Sequence, residues 1–189
     1  MKRTIIASLF LIIACKEEKK DISTQAVSQS QTKGNVILED KLQSNESEEA
    51  QKWLEKSIED YFKADIGEGA QNMQKITTKD YFDYKMDAMN VDLDVDGSLT
   101  EKEFQNKWKT KFDTGKAGVG VGFLIAGQDW DEIKVTKCRL ISANGNTYQY
   151  DVLLTDKELK AEYPIKVKVV KENNSFLIAD VLQEEPKLN

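Results

Sequence analysis

The acidic segment between Asp92 and Glu103 carries side chains that could hold a metal ion. Asp92, Asp94 and Asp96 place carboxylates at alternate positions, and the carboxylate of Glu103 closes the segment. The chain contains no His and only two Cys. Oxygen ligands without nitrogen or sulfur ligands favour calcium over zinc or copper, so the residue types predict a calcium site.

This segment resembles the calcium loop of EF-hand proteins. In that loop the ligands occupy positions 1, 3, 5, 7, 9 and 12, with glycine at position 6 and an aliphatic residue at position 8. Gly97 stands at position 6 and Leu99 at position 8. The resemblance implies a ligand set of Asp92, Asp94, Asp96, the Ser98 carbonyl, Thr100 directly or through a water, and Glu103 as the bidentate ligand.

Two departures limit the EF-hand resemblance. Leu93 and Val95 are apolar at the second and fourth positions, and the sequence holds no second loop to pair with this one. A regulatory site of the calmodulin kind is therefore not predicted. The alternative interpretation is a solvated acidic turn between two helices, in which Gly97 makes the bend and Thr100 only caps the next helix.

The amino terminus predicts a lipid anchor. Lys2 and Arg3 precede an apolar run over 5–13, and Ile12-Ile13-Ala14-Cys15 resembles the lipobox of bacterial lipoproteins. The resemblance implies a signal peptide over 1–14, cleavage before Cys15, and acylation of its sulfur, as with palmitate, and of the new amino terminus. The run is too short for a spanning helix, which needs about twenty apolar residues. An ordinary secretory signal that happens to contain a cysteine is the alternative.

The three residues after Cys15 predict where in the cell envelope the protein is located. Lys16-Glu17-Glu18 resembles the export signal of Bacteroidetes surface lipoproteins, which implies an outer-membrane lipoprotein exposed on the cell surface. The alternative is that these charges merely begin a flexible tether. Either interpretation places the protein in the cell envelope, with the membrane as a partner through its lipid.

Composition excludes several functions. The formal net charge is -6, and no basic cluster offers a footprint for nucleic acid. Without His, neither Ser-His-Asp nor Cys-His catalysis is available. Acylation of Cys15 would leave Cys138 without a disulfide partner in the chain. Cys138 alternates with the apolar face of a predicted strand, which favours an inert, buried thiol over a nucleophile.

The chain divides into a tether and one domain. Residues 15–45 are rich in Ser, Gln, Lys and Glu, which is typical of a disordered tether, and 46–189 form a single domain. Apolar spacing predicts three helices in the domain. The first starts at an Asn45 cap, the second at Thr77 or Thr78, and the third at a capping box of Thr100 with Glu103.

From Gly118 the apolar period changes to two. This period predicts a glycine-rich strand over 118–125, followed by strands near 131–142, 147–155, 164–171 and 175–183. Asn144-Gly145-Asn146 and Glu172-Asn173-Asn174 mark hairpin turns between them. The predicted fold is α+β, with three helices followed by a curved antiparallel β-meander.

The closing segment 170–181 resembles the last hairpin of nuclear transport factor 2-like domains in bacterial lipoproteins. The resemblance implies a cone-shaped sheet around the helices, but it leaves function open because the superfamily includes enzymes and non-enzymes. A binding or structural role, with an envelope protein or a small ligand as partner, is favoured, and no catalytic residue is assigned. The rival is a small-molecule-binding or acid-base enzyme using Asp and Tyr in a cone pocket, which a deep pocket with a carboxylate of raised pKa would distinguish.

Overall fold

The computed structural model describes residues 31–127 and 129–188, without the side chains of 31–42, 66 and 188. The predicted signal peptide over 1–14, the lipidation site Cys15, the segment Lys16–Glu18 and the first half of the predicted tether lie outside the described residues. In the described part of the chain, no helix combines the length and apolar character needed to span a membrane.

Helices precede strands along the chain, which confirms the predicted α+β class. The helices are α1 Gln31–Lys63, α2 Gly69–Ile76, α3 Lys79–Met89 and α4 Glu101–Trp108, with short 3₁₀ turns at Ile66–Glu68 and Thr114–Lys116. The strands are β1 Ile133–Asn144, β2 Thr147–Asp156, β3 Ala161–Glu172, β4 Ser175–Gln183 and the two-residue β5 Lys187–Leu188.

Helix α1 begins well before the predicted cap. It starts at Gln31, so Asn45 lies inside the helix and residues 31–45 of the predicted tether are helical. Once a turn has formed, each further residue adds a backbone hydrogen bond at low cost, and no proline interrupts this stretch. On one face of α1, Ala50, Leu54 and Ile58 recur at intervals of four and are fully buried, as apolar residues at helical spacing should be.

The prediction of three helices is wrong, because α2 adds a fourth among the described residues. The predicted break after α1 is present, but a short helix follows it and buries Met73. Its eight residues are fewer than the roughly eleven over which a helical period is counted. Both later caps are confirmed: the Thr78 side chain accepts from the Tyr81 amide, and Thr100 forms the capping box with Glu103.

The sheet is an antiparallel meander in the order β1-β2-β3-β4, with β5 pairing the start of β3. The four long strands lie within three residues of the predicted bounds, and both predicted hairpin turns are present. In β4, Lys168 pairs with Asp180 and Val169 with Ile178, which leaves Ala179 as a bulge. Such a bulge bends an edge strand and increases its twist.

One face of the sheet packs against the helices. Along β2 and β3, alternate side chains are buried: Tyr148, Tyr150, Val152, Leu154, Ala161, Tyr163, Ile165, Val167 and Val169. The side chains between them are partly or fully exposed, as expected for an antiparallel sheet covered on one side. The core therefore lies between the meander and the helices.

The predicted strand over 118–125 is wrong. Gly118 and Gly120 have φ of +60° and +70°, which are left-handed conformations and interrupt an extended strand. Phe123, Leu124 and Ile125 are buried in succession, whereas a strand would alternate them between faces. The segment is instead an irregular loop that crosses the molecule from α4 to β1.

Candidate functional site

The acidic loop forms an exposed corner between α3 and α4. Gly97 has φ of +84°, the conformation that only glycine adopts easily and that the sixth loop position requires. The Asp92 amide donates to the Leu99 carbonyl at 2.9 Å, and the Ser98 amide donates to the Val95 carbonyl at 3.1 Å. Backbone hydrogen bonds therefore close the loop on itself.

The predicted ligands are accessible but are not gathered around one point. Asp92, Asp94 and Asp96 are exposed. Across residues 31–127 and 129–188, no group of three or more His, Cys, Asp or Glu side chains is arranged to hold a metal ion. The donor types suit calcium, whereas the present arrangement is an acidic turn.

Glu103 caps helix α4. Its Oε2 accepts from the Thr100 amide at 2.9 Å and from the Thr100 hydroxyl at 2.7 Å. These hydrogen bonds lower the pKa of the Glu103 carboxyl. The structure thus brings the predicted ligands Thr100 and Glu103 into contact with each other. Ser98, the last of the predicted ligands, instead uses its hydroxyl to donate to the Leu93 carbonyl.

Asp87 ties the two helices that flank the loop, which the sequence did not reveal. Its Oδ2 accepts from Lys107 Nζ and from Trp108 Nε1, each at 2.7 Å. Asp87 interrupts the apolar pattern entering the loop, and its partners lie about twenty residues further along the chain. No local pattern links them, so only the three-dimensional structure explains why a carboxylate stands there.

A second polar group lies between α3 and β4. Lys85 is only 3% exposed, and its ammonium donates to the carbonyls of Ala117 at 2.9 Å and Gly118 at 3.3 Å. Burial lowers the pKa of Lys85 to about 8. In the sequence, Lys85 follows Tyr81 at helical spacing, which places it on the apolar stripe but does not mark it as functional.

Asp180 lies on β4, where it is half-buried and close enough for its charge to act on Lys85. Burial raises the pKa of its carboxyl, partly offset by the amide of Val181. Asp180 borders a depression of about 150 Å³ on the uncovered side of the sheet, with Lys168 and Leu182. A carboxylate of raised pKa is therefore present, but it borders a shallow depression.

A wide groove opens beside the start of α3. It has a volume of about 470 Å³ and is lined by Thr78, Lys79, Asp80, Lys111, Phe112, Lys168, Val170, Glu172 and Ala179. Asp80 and Lys111 already pair with each other at 2.8 Å across it. The groove is open to solvent and mixes both signs of charge, so it does not select a class of ligand.

The aromatic side chains that face the sheet fill the interior. Tyr84 stacks on Phe112 with ring centroids 4.2 Å apart and on Phe104 at 5.5 Å. The Tyr150 hydroxyl donates to the Ser47 carbonyl at 2.6 Å. Buried tyrosine hydroxyls of this kind serve to position α1 against the sheet.

Cys138 lies on β1 and is half-buried against the core. Burial, followed by the nearby charges of Glu55 and Asp151, raises the pKa of the thiol to about 12. A thiol with so high a pKa is almost entirely protonated near neutral pH and is a poor nucleophile. This environment agrees with the predicted inert thiol.

Comparison with known proteins gives no match: no family model fits the chain, and no curated protein or solved structure is significantly similar to it. Functional arguments for this chain therefore rest on its own residues.

Proposed function

We propose that this chain is a lipid-anchored protein of the bacterial cell envelope whose domain works by binding and whose acidic loop takes up calcium. The observation that carries the proposal is the loop itself, which combines the full spacing of oxygen ligands with Gly97 in the required left-handed conformation. The residues that would hold the ion are Asp92, Asp94, Asp96, Ser98, Thr100 and Glu103.

Calcium would supply an electrostatic link between α3 and α4. The aspartates are exposed and carry charges of the same sign, so a divalent cation would relieve their mutual repulsion. Glu103 would exchange its capping role for a bond to the ion. Because Asp87 already ties α3 to α4, we expect calcium to stiffen this joint and not to open it.

Thermal melting tests the calcium proposal. In a soluble chain starting at Gln31, we expect millimolar calcium, but not magnesium, to raise the melting temperature by about 5 °C. Glu103→Gln should abolish the increase, because glutamine can keep the capping box but is a poor substitute for a bidentate carboxylate. Glu101→Gln removes a carboxylate from the same helical turn at a position that is not a predicted ligand, and it is the matched control. An unchanged melting temperature in the parent chain would count against the proposal.

The lipid anchor has its own test. Labelled palmitate supplied to cells that express the full chain should enter the protein and be lost in Cys15→Ser. Cys138→Ser is the matched control, because it removes the other cysteine and should keep the label. Retention of label in Cys15→Ser, or none in the parent, would refute the anchor.

We propose further that the domain is a variant of the nuclear transport factor 2-like cone. The supporting observations are a meander of long strands with a bulge in β4, and helices packed on one face of that sheet. An experimental structure with the sheet flat or uncovered would contradict this.

The acid-base enzyme remains a second candidate because of Asp180. Its carboxyl has a raised pKa, and Tyr81 and Tyr84 lie near enough to respond to its charge. A binding role is favoured because Asp180 borders a shallow depression instead of a deep pocket. Soaking crystals with small carbonyl compounds would decide: density beside Asp180 would support the enzyme, and density elsewhere or none would support the binding protein.

A further inference from the structure

The glycine-rich segment from Asp113 to Gly122, called the strap here, crosses the seam between α3 and β4. It contains one short 3₁₀ turn and is otherwise irregular. Of its residues only Ala117 is buried, while Val119 is 44% exposed. The strap therefore contributes little to the apolar core that holds the rest of the domain together.

Few hydrogen bonds join the strap to the rest of the domain, and the shortest come from two side chains beneath it. At its start, the Tyr84 hydroxyl donates to the Asp113 carbonyl at 3.3 Å. Lys85 on α3 donates to the carbonyls of Ala117 and Gly118. Gln183 at the end of β4 donates to the carbonyl of Gly122 at 2.8 Å and, beyond the strap, to that of Phe123 at 3.2 Å. The Gly120 amide donates to the Ala88 carbonyl at 3.0 Å.

Both ends of the strap are anchored by aromatic side chains. Phe112, just before it, stacks on Tyr84. Phe123, just after it, is 3% exposed and packs edge-on against Tyr61 with ring centroids 5.2 Å apart. A segment that is weakly held between two firmly packed ends can open without unfolding the domain.

Left-handed glycines give the strap its hinges. Gly118 and Gly120 have positive φ, and a Cβ at Gly118 would lie 3.2 Å from Lys85 Nζ. The close approach of the Gly118 backbone is therefore what lets the lysine reach the strap. The strap in turn covers the lysine, which is only 3% exposed.

We propose that the strap is a lid latched by Lys85 and Gln183, and that it opens locally to expose the polar seam between α3 and β4. Opening uncovers the Lys85 ammonium, which the closed strap shields from ligands. The strap makes access to this ammonium depend on a small conformational change, while the flanking aromatic contacts remain in place.

Limited trypsin digestion of the full chain tests the lid, because the strap contains an exposed cleavage site after Lys116. Cleavage after Lys168, within β3, reports global unfolding in the same sample. Lys85→Met keeps an apolar stem but removes both latch bonds, and we expect cleavage after Lys116 to become about tenfold faster. Lys79→Met, an exposed position on the same helix, should leave the rate unchanged.

A second variant keeps the test decisive if Lys85→Met folds poorly. Gln183→Leu removes the latch from the β4 side without touching a buried charge, and it should speed cleavage after Lys116 by a smaller factor of about three. Faster cleavage after Lys116 with unchanged cleavage after Lys168 supports the lid. Unchanged cleavage after Lys116 in both variants, or a parallel increase after Lys168, overturns it.

Discussion

Lys85 is a buried cation that interacts with neutral carbonyls. Lysine is rarely buried unless it is paired with an opposite charge, because removing an ammonium from water is costly. Here the nearest opposing influence is Asp180, whose charge raises the pKa of Lys85 but does not outweigh the effect of burial. The chain therefore holds this lysine in its charged form at a cost in stability near neutral pH.

This cost predicts how stability changes with pH. The pKa of Lys85 falls from 10.5 to about 8 on folding, so between these values the unfolded chain binds more protons and stability rises with pH. The effect reaches roughly 3 kcal/mol above pH 10.5. Urea unfolding of the parent and Lys85→Met at pH 7 and pH 9.5 should show the parent gaining stability relative to the variant. Parallel curves would contradict the assignment.

Asp180, Asp113, Lys116, Tyr81 and Tyr84 are other titratable groups around this lysine and its strap. All remain in Lys85→Met, so most of their own pH dependence cancels when the two proteins are compared. The difference between the parent and the variant therefore reports mainly the lysine.

Cys138 predicts a second residue-scale result. With its thiol pKa near 12, it should react with a disulfide reagent at pH 8 at least about a hundredfold more slowly in the folded chain than in urea. Cys15→Ser removes the other thiol from the measurement. Equal rates in the folded and the urea-unfolded chain would show that folding neither shields the Cys138 thiol nor raises its pKa.

At the scale of elements, the features that depend on neighbouring residues were predictable from the sequence. The caps at Thr78 and Thr100 were predictable because a cap bonds within its own turn. The hairpins were predictable because turn residues lie beside the strands that they join. The strap was not, because its fold depends on Lys85 and Gln183, which are distant in the sequence.

The same reasoning explains the acidic loop. Its ligand spacing and the bend at Gly97 were visible in the sequence, and the bend is present. The Asp87 link between the flanking helices was not visible, because its partners belong to the far end of α4. Long-range pairs of this kind carry no local signal.

The Asp87 link predicts a loss of stability on substitution. Asp87→Ala would leave the Trp108 indole N–H without its partner in a largely buried position, which should cost about 1–3 kcal/mol. Asp83→Ala on the same helix removes an exposed ion pair and should cost little. Chemical unfolding followed by tryptophan fluorescence measures both. Equal losses would mean that Asp87 does not link the helices.

At the scale of the whole molecule, the sheet and α1 are joined near the predicted start of the domain. Glu46 accepts from the Tyr148 hydroxyl at 2.8 Å and from Lys171 at 2.7 Å. These hydrogen bonds lower the pKa of the Glu46 carboxyl. Apolar packing along the later part of α1 was predictable from a helical stripe. The start of the helix at Gln31 was not, because residues 31–45 are mostly polar and do not continue that stripe.

The proposed function also belongs to this scale: a lipid-anchored domain would present its acidic corner to the calcium-containing surroundings of the cell envelope. Extracellular calcium modules bind with dissociation constants on the order of 10⁻⁴ to 10⁻³ M, so a lone loop of this kind can be occupied there. In the proposed function, calcium adds stiffness to an α3-α4 joint that Asp87 already ties.

Calorimetric titration of calcium into the soluble chain tests this claim most directly. The account predicts saturable binding at one site, lost in Asp92→Asn and Glu103→Gln and kept in Glu101→Gln. Absence of binding heat in the parent chain across temperatures, or equal binding in all four proteins, would contradict it and leave the loop as a capped turn between two helices.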